Sequence, residues 1–227
     1  MTAPLAPRYA VYLTPAPQSA LALRGAQWLG YDCHEGAVVT QPPYPELPKH
    51  TAKPSRYGFH GTLRAPFELR HDQTPENLVE ATARFASNRP HLSLRFSVGR
   101  LGSFLALVPH RSVSVIALQE ALLPAVEFCR APLTIYDRSR RAASGLTPRQ
   151  KTLLERWGYP YVLDELRFHL TLTDAIAGEE LARVENWADA HFAEAIKEAI
   201  QDMGLAVVAQ PDRDTPFTTM AFHPLGQ

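Results

Sequence analysis

The chain has 227 residues, 45% of them hydrophobic, enough for a sizeable core and too many for intrinsic disorder. Lys plus Arg and Asp plus Glu number 23 each, so no global field draws in nucleic acid or an anionic membrane, and any anion site must be local. No stretch approaches the roughly 18 uncharged apolar residues of a membrane span, and the first residues lack the basic start and long apolar run of a secretory leader.

In chain order, Arg8–Thr14 is rich in β-favouring residues and is closed by Pro15, which predicts a first strand; a helix over Ser19–Leu29 follows. Residues 42–54 contain Pro42, Pro43, Pro45, Pro48 and Pro54 with no apolar period, and read as a long loop running into a strand that carries His60. Thr74-Pro75-Glu76 combines an N-cap, a proline at the first helical position and an acidic first turn. Leu78, Val79, Ala81, Phe85 and Ala86 continue at helical spacing, so a helix should end near Asn88. His91–Val98 and Phe104–Pro109 read as a strand pair with one buried face. Ser112–Cys129 reads as a helix that Pro124 should kink or end early. Asp137-Arg138-Ser139-Arg140-Arg141 is read as a solvated, mobile loop, the alternative being a lid in which Arg138, Arg140 and Arg141 close over an anion. Thr147 and Gln150 have capping-box spacing around Pro148, and Gly158 supplies a stop, so Pro148–Trp157 is a short helix. Glu179–His191 is helical by pattern, 193–203 fits either a helix or the approach to a strand, and Leu205–Gln210 with Pro216–His223 forms a closing hairpin.

Helices do not alternate with all-apolar strands, and several strands show half-buried alternation. The expected fold class is therefore α+β with antiparallel sheets, not a βαβ repeat. The expected organisation is a single bilobal domain over residues 1–227 with outer helices. Its lobes, roughly 1–110 and 111–227, would be related by approximate internal twofold symmetry and are free to exchange strands.

The informative coincidence is the near-repeat of Phe59-His60-Gly61-Thr62-Leu63 in Phe168-His169-Leu170-Thr171-Leu172. In a strand alternate side chains share a face, so His60 with Thr62, and His169 with Thr171, point one way while Phe59, Leu63, Phe168 and Leu172 pack the other way. Counting by twos adds Arg56, Gly58 and Arg64 to the first polar face, and Arg167 and Thr173 to the second. Tyr57 falls on the apolar phase unless the strand begins only at Gly58, in which case it can contact substrate. Cleavage of a phosphodiester by water needs a base for the nucleophile, an acid for the leaving oxygen and donors for the remaining oxygens. Two imidazoles, two hydroxyls and flanking guanidiniums supply all three. No metal or other cofactor is required: there is no HExxH, HxH or CxxC, and His34, His50 and His71 show no ligand spacing. GxSxG, P-loop and GxGxxG segments are absent too, which removes the common hydrolase, kinase and dinucleotide readings.

At these residues the chain resembles the 2H phosphoesterase (LigT-like) superfamily, whose members carry two His-x-Thr/Ser-x motifs facing each other in a bilobal α+β fold. The strings Arg56-Tyr57-Gly58-Phe59-His60-Gly61-Thr62-Leu63, Trp157-Gly158-Tyr159-Pro160-Tyr161-Val162-Leu163 and Phe168-His169-Leu170-Thr171-Leu172-Thr173 are similar to a bacterial subgroup associated with phosphonate metabolism. The resemblance implies a cyclic phosphodiester hydrolase or related phosphoesterase, with His60 and His169 catalytic and Thr62 and Thr171 on the phosphate. A ribose cyclic phosphate or another small phosphoester would be the substrate. Arg64 stands where relatives commonly have Lys, which keeps the charge but changes the donor geometry.

Plainer readings stand beside these. Arg56, Arg64 and Arg167 are equally explained as solvated strand ends, and Tyr159 and Tyr161 are read as packing residues before base-stacking ones. Two other functions compete with small-molecule hydrolysis: processing of RNA ends with 2′,3′-cyclic phosphates, which neutral charge disfavours, and non-catalytic phosphoester binding. Cys33 and Cys129 form no CxxC pair or dense framework, so a reducing cytoplasm is expected, with no membrane partner. The oligomeric state is left open.

Overall fold

The computed structural model describes residues 6–143 and 145–226, so the expectation about the first residues lies in part outside it. The fold is α+β, and every strand pairing in it is antiparallel. β1 (Arg8–Pro15) leads into α1 (Ala20–Leu29), where the Ser19 hydroxyl accepts a hydrogen bond from the Ala22 amide and Gly30, at φ 74°, ends the helix in the left-handed conformation. A small hairpin follows, β2 (Tyr31–Asp32) and β3 (Ala37–Val38), whose two-residue strands are too short to leave a periodic signal. The proline-rich segment is not wholly irregular: it folds into α2 (Leu47–His50) and a 3₁₀ turn over Pro54–Tyr57 before β4 (Gly61–Phe67).

α3 (Pro75–Ala86) starts with Thr74 and Asn77 capping each other reciprocally. In the expected pair, β5 (Phe96–Leu101) begins later than the alternation suggested and β6 (Phe104–Pro109) matches it, while Leu94 makes only an isolated bridge to Ile200. α4 (Val113–Val126) runs through Pro124. That proline sits in the last turn, where its missing N–H forfeits one bond to the carbonyl of the exposed Glu120. Residues 135–142 are not a loop: Thr134 accepts from the Asp137 amide and starts α5 (Ile135–Ala142). α6 (Pro148–Trp157) has the expected Thr147/Gln150 box and ends at Gly158, φ 71°. β7 is only Leu170–Thr171, and α7 spans Glu179–Phe192. Residues 193–198 are turns and bends, after which β8 (Met203–Gln210) and β9 (Thr218–Pro224) form a hairpin.

The main sheet has the order β5-β6-β7-β4-β1-β8-β9, and β2-β3 is the second sheet. The main sheet interleaves the two sequence halves, because β7 lies between β6 and β4 while β8 and β9 extend from β1. The two His strands meet at its centre. One face carries Val11, Leu13, Leu63, Leu105, Leu107, Leu170, Leu172, Leu205 and Val207 into the main core with side chains of α1, α3, α4 and α7. The opposite face carries Ala10, Tyr12, Ala206 and Val208, covered in part by Phe217 and Tyr57. Tyr57 also lines a cleft, together with His60 and Thr62.

Candidate active site

β4 and β7 pair through Gly61 and Leu170. Counting one residue either way in this antiparallel register sets His60 across from Thr171 and Thr62 across from His169, so the two motifs interlock as a square of alternating imidazoles and hydroxyls. All four residues line one cleft of about 630 Å³, a volume typical of small-molecule sites. Phe59 and Phe168, on the other face of the same strands, are buried in the main core as alternation requires.

Both imidazoles are oriented in the same way. His60 Nδ1 lies 2.9 Å from the Gly58 carbonyl and His169 Nδ1 lies 2.6 Å from the Arg167 carbonyl. A carbonyl only accepts, so each Nδ1 holds its proton, and each Nε2 of a neutral ring offers a lone pair. His60 Nε2 is 3.1 Å from Thr62 Oγ1, whose hydroxyl donates to it. The His60 ring stacks on Tyr12 with centroids 3.7 Å apart and planes 23° apart. Burial pushes the His60 pKa down to about 4, the Gly58 carbonyl opposing and the nearby His169 charge adding to the shift. His169, beside Phe104 at 5.6 Å, is also lowered by burial, with the Arg167 carbonyl opposing.

The remaining sequence candidates divide. Tyr57 and Arg167 line the cleft, Arg167 at its exposed rim. Thr173 lines it too, but its Oγ1 accepts from the Leu105 amide at 2.9 Å and so serves the sheet. Arg56 does not face the cleft: residues 54–57 form a 3₁₀ turn, which ends the two-residue period, and its guanidinium donates to the Arg213 carbonyl. Arg64 does not face it either. Tyr12 pairs with Thr62 but Val11 pairs with Arg64, so Leu63 is an extra residue that turns Arg64 towards the side of the core residue Val11. There Arg64 is buried, bonded to Glu127 at 2.5 Å and to the Trp157 carbonyl at 2.7 Å.

Sequence reasoning passed over several residues in and behind the cleft. Tyr12, read only as part of the first strand, is buried behind the cleft and stacks on His60. Tyr159 and Tyr161, assigned to packing, line the cleft edge to face at 5.5 Å. Lys53 reaches the same cleft from the proline-rich segment, 3.7 Å from Asp174. Gln119 left no signal at all: from α4 its amide donates to the Leu63 carbonyl and accepts from the Leu163 amide, tying the first motif strand to the segment before the second. Elsewhere, Glu46, His50 and Glu180 bring ligand atoms within 4.8 Å of one another, but Lys49 and Arg183 already pair with the two carboxylates. Among the described residues no helix is long and apolar enough to cross a membrane.

A family model described as "Protein of unknown function (DUF1045)" matches residues 62–218. Two curated proteins named "Ribose 1,5-bisphosphate phosphokinase PhnN" are similar. The protein from Janthinobacterium sp. (strain Marseille) is 36% identical over 199 residues, covering 83% of this chain and 44% of the relative. The one from Laribacter hongkongensis (strain HLHK9) is 35% identical over 214 residues, covering 92% and 50%. The chain thus spans about half the length of the curated relatives it matches. A solved structure described as "Crystal structure of phosphoesterase" aligns over 97% of this chain and 99% of its own, at 13% identity and a TM-score of 0.43.

Proposed function

The chain belongs to the DUF1045 family of proteins of unknown function, and from its cleft we propose that it is a phosphoesterase that hydrolyses a small cyclic phosphodiester by two-histidine acid–base catalysis. The observation that carries this reading is the interlocked pair of motifs, each imidazole held by the carbonyl two residues before it. One neutral Nε2 takes a proton from water as its oxygen attacks phosphorus. The ester P–O bond breaks, and the other imidazole, entering the step protonated, gives its proton to the leaving oxygen. Thr171 donates to a non-bridging oxygen, and Thr62 does so once the proton taken up by His60 Nε2 frees its hydroxyl, with Arg167 and Lys53 supplying positive charge at the rim. His60, the ring that burial holds neutral down to about pH 4, is the base, and His169 is the acid.

The scheme uses no metal, since imidazolium, hydroxyls and cationic side chains neutralise the phosphate. The relatives' name concerns a ribose bisphosphate, in keeping with a ribose phosphate ester as substrate. Their phosphokinase activity belongs to proteins about twice this length, and this chain contains no Gly-rich phosphate loop. The resemblance to 2H phosphoesterases supports the same assignment. The aromatic walls of Tyr57, Tyr159 and Tyr161 favour one second reading, an RNA end with a 2′,3′-cyclic phosphate whose base stacks there.

The test is turnover, with EDTA present, of ribose 1,2-cyclic phosphate, nucleoside cyclic phosphates and oligonucleotide ends by wild type, His60→Ala and His169→Ala. Each variant should lose about 10²–10⁴-fold in rate while keeping its fold, and activity persisting in either would sink the mechanism. Binding without turnover by wild type would leave a non-catalytic module.

A further inference from the structure

Beside Tyr57 and Tyr159, two walls of the cleft, the fold gathers guanidiniums that the hydrolytic scheme does not use. Arg8, from β1, lies within Coulomb range of Tyr57 and of Arg213, Arg140 and Arg141. Arg141, from α5, lies over the Tyr159 ring at 5.5 Å and is near Arg140 as well. The carboxylates among them are two. Asp137 stands 3.1 Å from Arg140 and 3.8 Å from Arg213, and Glu68 stands 2.8 Å from Arg213.

Among the described residues Arg8 and Arg141 hydrogen-bond to neutral partners only, although Asp137 is near enough to Arg141 to attract it. Arg8 donates to the Gln210 side-chain oxygen and faces the Phe217 ring at 5.4 Å, while Arg141 donates to the Gly158 and Pro66 carbonyls. Carbonyl and ring contacts satisfy geometry without cancelling charge. Arg8 is 7% exposed, and the Nε of Arg213 is buried with no partner among the described residues. Four cations against two anions, largely out of water, repel one another unless a further anion joins them. Arg140, with 46% of its side chain exposed, marks where one can enter.

We propose that Arg8, Arg140, Arg141 and Arg213 form a second anion subsite, which binds a phosphate monoester carried on the same small molecule whose cyclic diester meets His60 and His169. The proposal rests on the phosphoesterase reading and narrows its substrate class to cyclic phosphodiesters that also bear a monoester. A monoester near neutral pH is close to a dianion and would cancel the cluster's excess of two charges. The planar forks of arginine suit its oxygens. The run Asp137–Arg141 takes part through α5, with Asp137 buried, Arg140 paired to it from the surface, Arg141 reaching the Gly158 and Pro66 carbonyls, and Arg138 turned away to Glu155.

The test compares matched probes: ribose 1,2-cyclic phosphate with and without a 5-phosphate, and adenosine 2′,3′-cyclic phosphate with and without a 5′-phosphate. Both kcat/KM and the Kd from calorimetry are measured. The phosphorylated member of at least one pair should be preferred by tenfold or more, and Arg140→Gln should cut that ratio by roughly tenfold, the value of one charged hydrogen bond. Arg8→Gln risks misfolding because Arg8 is buried, so the half-exposed Arg140 carries the test, with melting curves as the check on fold. Arg138→Gln, outside the cluster, should keep the wild-type ratio. A ratio near one in both pairs, absence of binding by every probe, or a preference that survives Arg140→Gln and Arg141→Gln would overturn the subsite. Preferential binding of the phosphorylated probes without turnover of any would leave the subsite standing and remove the hydrolytic reading instead.

Discussion

At the scale of single residues, the cleft works through what holds each imidazole more than through the imidazole itself. The Gly58 and Arg167 carbonyls select the same tautomer twice, and burial holds both rings below the ordinary histidine pKa. The kcat/KM profile follows the free enzyme, so its acid limb should rise near pH 4, where His60 becomes neutral, and its alkaline limb should fall below the ordinary His value of about 6.5 as His169 loses its proton. In kcat both limbs should move to higher pH, because a bound phosphate anion favours the imidazolium. A kcat/KM profile that stays flat from about pH 5 to pH 8 would contradict this placement of the two groups. Tyr12 adds a second residue-level expectation. Its ring supports His60 by stacking, yet its hydroxyl is buried with no partner among the described residues, so it costs stability and contributes no contact. Tyr12→Phe should keep the stack and raise unfolding free energy by about 1 kcal/mol in urea melts. A destabilised Tyr12→Phe would mean that the hydroxyl has work the structure does not reveal.

At the scale of elements, the motif's variable position has a steric reason. A Cβ on Gly61 would overlap the buried Phe168 ring, so the aromatic residue of the second motif occupies the space that a side chain in the first would need. Gly61→Ala must displace Phe168 and with it the neighbouring His169. The expected cost is about 1–3 kcal/mol of stability from overpacking, with a loss of kcat larger than any change in KM. An active, fully stable Gly61→Ala would show that the two strands do not interlock. The same contact explains what was legible in sequence. Alternation along β4 and β7 depends on neighbouring atoms only, so it located His60, Thr62, His169 and Thr171 on one face and Phe59 and Phe168 on the other. Capping signals at Thr74, Thr147 and Gly158 are local in the same sense, and their helices begin and end where those residues indicate. The rule failed wherever a local event interrupts the period. The 3₁₀ turn over Pro54–Tyr57 removed Arg56 from the polar face and left Tyr57 on the cleft, and the extra residue Leu63 turned Arg64 away. Tyr12, Lys53, Gln119 and the arginine cluster were out of reach for a different reason. Each acts across more than forty residues of chain, through pairings such as β1 with β4 that no single segment encodes.

At the scale of the whole molecule, the fold carries its titratable load in a way that should set its behaviour in acid. Burial is the leading cause of a lowered pKa at His34, His60, His169, His191 and His223, which are spread over the cleft, α7 and the β8–β9 hairpin side. Below about pH 6.5 the unfolded chain takes up protons that the folded chain refuses, so stability rises with pH in that range. It should be at its full value above pH 6.5 and be lost progressively as pH falls towards 4, the lower end set by His60. Carboxylates do not mimic this window: Asp72, Glu76 and Asp164 are themselves lowered, so their protonation comes at still lower pH, and all three are exposed. Thermal melts between about pH 7.5 and pH 5 should therefore show Tm falling with acidity before carboxylate titration begins. His60→Asn, neutral throughout, should flatten that slope by removing the largest single contributor. A Tm that is constant across the range, or a slope unchanged in His60→Asn, would mean that the cleft opens to water readily enough to protonate its histidines in the folded state.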